Sequence, residues 1–149
     1  MLRALLLVFG LVVAVPDTSA TESIRLSTVD VVRVYDGDTL TVNLTGLYPV
    51  FGHELGVRIA GIDTPELASS CATAELKAAE KRKAEQARDL VRDMVANGKI
   101  VILSNLDRDK YFRLLAKVEI DGVDVGKMLF QQGLADPYDG GTKVSWCGR

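Results

Sequence analysis

The residues of this chain best suited to chemistry are acids that hydrophobic patterning does not require. Asp36 and Asp38 flank Gly37, and Asp63 and Glu66 flank Thr64-Pro65. Carboxylates gathered at one point repel one another and raise each other's pKa unless a cation or an arginine compensates. Their hard oxygens favour Ca²⁺ or Mg²⁺ over zinc or copper. Taken alone, Asp36-Gly37-Asp38 is more often a turn than a metal site. Two arginines alter that balance: Arg58 precedes Asp63 by five residues, and Arg113 ends the run Asp109-Lys110-Tyr111-Phe112-Arg113. Either one alone reads as a surface ion pair. Together, beside a hard cation, they suit a phosphate. Guanidiniums hold its oxygens and the charge that develops on them, a metal withdraws electron density, and a carboxylate handles the water proton.

The elements that must position these groups are mostly strands. Val29, Val31, Val32 and Val34 precede Asp36-Gly37, a hairpin signal, and residues 40–44 then alternate apolar with polar. Residues 57–62 read as a third strand, after which Pro65 turns the chain out of the sheet. From about Ser70 to Asn97 the composition shifts to Ala, Glu, Lys and Arg, with Leu76, Ala79, Ala87, Leu90 and Met94 on one helical face. Ser69 or Ser70 is the expected cap, Gly98 the expected end, and the helix charges are expected to form a solvated face. Residues 99–104 and 114–120 read as two further strands, and a short helix follows around Val125, Met128 and Leu129. Five strands with a long helix between the third and fourth suit an α+β, mainly β fold: a five-stranded oligonucleotide-binding (OB) barrel closed by a short C-terminal helix.

Composition sets the boundaries. The chain has 149 residues, 48% hydrophobic and 26% charged, with a formal net charge of −2. That excludes a disordered tail, a collagen-like repeat and a protein that holds nucleic acid by bulk positive charge. Arg3, the apolar run from Ala4 to Val15 and Thr18-Ser19-Ala20 read as a signal peptide over residues 1–20, cleaved near Ala20 and too short to span a bilayer. Residues 21–149 then form one domain, secreted or periplasmic, monomeric and without stable membrane association. Export permits one disulfide, Cys71 with Cys147, against the alternative of two separate thiols. Two distant cysteines and a lone His53, expected to be an exposed loop residue, argue against zinc.

Three blocks then carry a resemblance: Asp36-Gly37-Asp38-Thr39, residues 58–66 (Arg-Ile-Ala-Gly-Ile-Asp-Thr-Pro-Glu), and Asp109-Lys110-Tyr111-Phe112-Arg113. In this order they resemble the staphylococcal nuclease-like (thermonuclease) family, over about residues 29–135. The ending, from Pro137-Tyr138 to Trp146-Cys147, looks like that of secreted bacterial members. The resemblance implies a calcium-dependent endonuclease that hydrolyses DNA and RNA to products with 3′-phosphate ends. It implies that Asp38, Asp63 and the Thr64 carbonyl bind Ca²⁺, with Asp36 supporting them from behind. Arg58 and Arg113 would hold the reacting phosphate, Glu66 would take or orient the water proton, and Lys110 and Tyr111 would contact a terminal phosphate. Phe112 stands where the family often has Gly, and the spacing from Asp38 to Arg58 is long, with residues 45–56 expected as an extended loop. Tyr138 either stacks on a base or packs against the barrel.

Two other classes fit less well. A non-catalytic binding module of the same fold has no need for Asp38, Arg58, Asp63, Glu66 and Arg113 together. A phosphatase with an aspartyl nucleophile would want one more residue between Asp38 and Thr39, and a larger α/β chain. Asn43-Leu44-Thr45 is a formal glycosylation sequon inside an expected strand.

Overall fold

In the computed structural model, residues 22–149 are described. The expected signal segment lies outside them. The main sheet runs β1 (Ser23–Ser27), β6 (Ile100–Arg108), β7 (Leu114–Ile120), β4 (Leu55–Ile59), β3 (Thr39–Val42), β2 (Val31–Val34), with the two-residue β8 (Val123–Asp124) paired to β7. The outermost strands, β1 and β2, are successive stretches of chain joined by one 3₁₀ turn, Thr28–Asp30. The sheet therefore curls back toward itself. Ser27 caps that turn in a capping box with Asp30.

All neighbours in the sheet are antiparallel except β4 and β7. β7 shows strict alternation, with Leu114, Ala116, Val118 and Ile120 turned inward. They meet Leu40, Val42, Val57, Ile59, Val101 and Leu103 from the other strands. Ala87 and Val91 of α2 (Ala74–Asn97), with Val125 and Leu129 of α3 (Val125–Gln131), complete the core.

The five expected strands are present, but seven strands make up this sheet and two more, β5 (Ile62–Asp63) and β9 (Asp136–Pro137), pair apart from it. The expected third strand breaks at Gly61, whose φ of +80° turns the chain, so Ile62 and Asp63 leave β4 to meet the tail. The helix begins at Ala74, and its cap is Thr73, whose hydroxyl accepts from Leu76 N–H at 3.3 Å. Ser69 is engaged elsewhere, donating to Glu80. Glu80 in turn corrects the expectation of a fully solvated charged face, being only 5% exposed. Within residues 45–56 the chain forms a one-turn helix, α1 (Pro49–Gly52), and His53 is exposed. Among the described residues no helix is long and apolar enough to cross a membrane.

Candidate active site

Asp38 ends the short loop between β2 and β3, where Tyr35 N–H donates to Thr39 O at 2.9 Å. Gly37 does not serve as a left-handed turn residue, as the hairpin signal implies. It serves close packing: a Cβ there would lie 2.7 Å from Ala87 Cβ and 2.9 Å from Thr64 Cγ2. The loop is thus pressed against α2 and the start of the 64–66 segment. Asp36 Oδ1 accepts from Asp38 N–H at 3.1 Å. Burial pushes the Asp36 carboxyl up from its ordinary value, against the opposing pull of Thr39, Arg58 and Arg113.

Both oxygens of Asp38 are used. Oδ2 accepts from the Thr64 backbone N–H at 3.0 Å and from the Thr64 hydroxyl at 2.9 Å. Oδ1 accepts from the Thr39 hydroxyl at 3.1 Å and pairs with Arg58 Nη1. Arg58 stands opposite Thr39 in the β3–β4 ladder, which brings the guanidinium to Asp38. Its Nη2 donates to Ile62 O at 3.0 Å and reaches Asp63 Oδ1 at 3.4 Å. One buried guanidinium therefore spans the two aspartates. Burial lowers its pKa and the flanking Asp63 and Asp36 charges oppose that, but an arginine stays protonated throughout.

Asp63 is 2% exposed and receives three donors. Oδ2 accepts from Trp146 Nε1–H at 3.2 Å, and Oδ1 faces Arg58 and also the Lys143 ammonium at 2.8 Å. Lys143 also pairs with Glu66 Oε1 at 2.6 Å. The Glu66 backbone N–H donates to the buried Glu80 carboxylate at 3.2 Å, fixing the loop from beneath. Trp146 and Lys143 come from the tail, which is fastened by Tyr138 N–H donating to Gly61 O at 3.0 Å and by a Cys71–Cys147 disulfide with Cα atoms 5.6 Å apart.

Arg113 lies just before β7, two residues from Leu115, the ladder partner of Arg58. Its Nε donates to Asp109 Oδ2 at 2.7 Å, its Nη1 to the Thr39 hydroxyl at 3.4 Å, and its guanidinium lies 5.6 Å from the Tyr111 ring centre. Phe112, exposed beside it, holds a φ of +67°. A cleft of about 1000 Å³ opens over these residues, lined by Asp36, Asp38, Arg58, Glu66 and Arg113 and by Lys110, Tyr111 and Tyr138. Asp63 and Thr64 close it from behind.

Asp36, Asp38, Arg58, Asp63, Thr64, Glu66, Lys110, Tyr111 and Arg113 thus gather around one cleft. The sequence assigns no role to Lys143, Trp146, Glu80 or Thr39, although Thr39 closes the first motif block. The only sign of Trp146 was its place beside Cys147, and Lys143 carried none. An arrangement with two guanidiniums and a carboxylate facing a cleft, backed by buried aspartates, can bind an anion such as phosphate and take up a proton next to it.

The family pattern described as "Staphylococcal nuclease homologue" matches residues 56–144, a range that holds Arg58 to Lys143 and leaves Asp38 outside it. The chain is 36% identical over 107 residues to the SPbeta prophage-derived endonuclease YokF of Bacillus subtilis (strain 168), an alignment covering 69% of this chain and 31% of that protein. It is 35% identical over 115 residues to endonuclease YncB of the same organism, covering 74% of this chain and 48% of the relative. The chain spans less than half the length of either.

Proposed function

Because the chain belongs to the staphylococcal nuclease homologue family, we propose that it is a calcium-dependent endonuclease that hydrolyses phosphodiester bonds of DNA and RNA and leaves 3′-phosphate ends. The observation that carries the reading is Arg58, held between Asp38 and Asp63, with Arg113 lining the same cleft. Two fixed guanidiniums lining one cleft can bind the non-bridging oxygens of a phosphate and meet the charge that grows there as water adds and the P–O5′ bond breaks. Glu66, at the mouth, is placed to accept the water proton, and the proton required by the departing 5′ oxygen comes from solvent in the open cleft.

The donor set fits a hard divalent cation. Asp38 and Asp63 are buried carboxylates paired with the Arg58 and Lys143 cations, a charge balance that Ca²⁺ would share. Asp38, Asp63 and the Thr64 carbonyl would hold it, and it would supply Lewis-acid stabilisation of the phosphoryl oxygens. The leader-like residues 1–20 and a disulfide that persists in oxidising compartments support a secreted or periplasmic setting.

The test is cleavage of single-stranded DNA by residues 21–149 with Ca²⁺ and with chelator, beside Glu66→Gln and Arg58→Ala. Calcium-dependent cutting that each substitution lowers by at least about a hundredfold is expected. A wild type that binds DNA and cuts under no divalent cation would sink the enzyme reading in favour of a binding module.

A further inference from the structure

Every oxygen of Asp63 already has a partner. Oδ2 is taken by Trp146, and Oδ1 is shared by Arg58 and Lys143. Oδ1 thus carries a donor for each of its lone pairs, so a divalent cation coordinating Asp63 through Oδ1 must displace Arg58 or Lys143, and the donors around this carboxylate are not equally movable. Trp146 is buried between Lys83 and Arg149, whose cations lie 5.9 Å and 4.7 Å from its ring centre, and the disulfide holds the neighbouring residue. Arg58 is buried as well, and it keeps bonds to Asp38 and to the Ile62 carbonyl. Lys143 differs from both: its side chain is 45% exposed and sits on a flexible four-carbon stem. Its backbone cannot leave, because Tyr138 and Cys147 fasten the tail on either side of it.

We propose that Lys143 is a tethered internal cation that bridges the Asp63–Glu66 carboxylate pair and competes with the divalent metal for Asp63, so setting the calcium concentration at which the site fills. The inference rests on the calcium reading of the site given above. The ammonium bridges the two carboxylates at 2.8 Å and 2.6 Å. It relieves their mutual repulsion when no metal is bound, and tethering gives it a high effective concentration there. Anything that binds the folded protein at the expense of an existing contact binds more weakly by the cost of that contact. Because Glu66 is the proposed water-handling group, displacement of Lys143 also frees the carboxylate that the reaction needs.

The experiment is direct calcium binding to the intact domain by titration calorimetry, with emission of Trp146, the single tryptophan, as a parallel readout. Wild type is compared with Lys143→Met, which keeps the stem and removes the charge, and Lys143→Arg, which keeps the charge. The expected result is a calcium Kd about fivefold lower in Lys143→Met, the size of a partly exposed ion pair, with Lys143→Arg within about twofold of wild type. In chelator, Lys143→Met should also melt below wild type, and excess Ca²⁺ should close that gap. A measurable wild-type Kd that Lys143→Met leaves unchanged or weakens overturns the competition and leaves the calcium site standing. No calcium binding by any of the three proteins overturns the calcium reading and the competition with it.

Discussion

Asp109 addresses Arg113 through both the backbone and the side chain. Its Oδ1 accepts the N–H groups of Tyr111 and Arg113 at 2.9 Å each, while its Oδ2 accepts from Arg113 Nε at 2.7 Å. One carboxylate thus shapes the turn and aims the guanidinium that the turn presents. Asp109→Ala should lower kcat/KM on DNA by about tenfold or more with the circular-dichroism spectrum of the folded domain retained. Full activity in that variant would show that Arg113 finds its position without Asp109.

The same residue gives a pH prediction. Burial pushes the Asp109 carboxyl up, but the bonds from Arg113 and Tyr111 outweigh it and leave its pKa below the ordinary value. A carboxyl depressed in the folded state adds stability above its unfolded pKa, about 3.9, and that stability is lost as pH falls through the folded value. Denaturant midpoints of wild type and Asp109→Asn should therefore differ at pH 6 and converge on acidification toward pH 2. A gap that persists at low pH would assign the difference to shape rather than charge.

Phe112 holds a φ of +67° with its ring 82% exposed, so it adopts a left-handed backbone without a packing reward. Phe112→Gly should remove a strain of about 1 kcal/mol, partly offset by the greater freedom of glycine in the unfolded chain. Thermal denaturation should show a Tm raised by a few degrees, and a lowered Tm would mean the ring makes contacts of its own. Activity measured on that variant would show whether the loop path matters to Arg113.

Gly37 lies where a methyl group would meet Ala87 and Thr64 at under 3 Å. Gly37→Ala should destabilise the domain by about 1–3 kcal/mol, the usual cost of overpacking. Because Thr64 also holds Asp38, calcium affinity should fall along with stability. A variant that keeps both would show that α2 yields to the added carbon.

What could be read from the chain depended on how local the cause was. Asp36-Gly37-Asp38, Arg58 to Glu66 and Asp109 to Arg113 are contiguous runs at or between the ends of strands with clear alternation, so their elements and their shared cleft followed from pattern and resemblance. Lys143 and Trp146 act through a tail whose position depends on a bond across 76 residues and a two-residue pairing of β5 with β9. No periodicity encodes that. Glu80 looked like one more helix charge because its partners, Ser69 and the Glu66 N–H, belong to a different segment. Its burial reassigned Ser69 and left capping to Thr73. Ile24 and Leu26 of β1 do alternate with polar neighbours, but the strand lies just past the leader-like residues and escaped notice.

The joining of β1 to β2 bears on how copies of this molecule meet one another. A strand edge is a template for another chain, and long apolar edges invite aggregation. Here the two terminal strands of the sheet are five and four residues long, separated by a tight turn and interrupted by Arg25 and Arg33. Among the described residues, a second copy meets short edges that each carry an arginine, though Val32 of β2 is exposed beside Arg33.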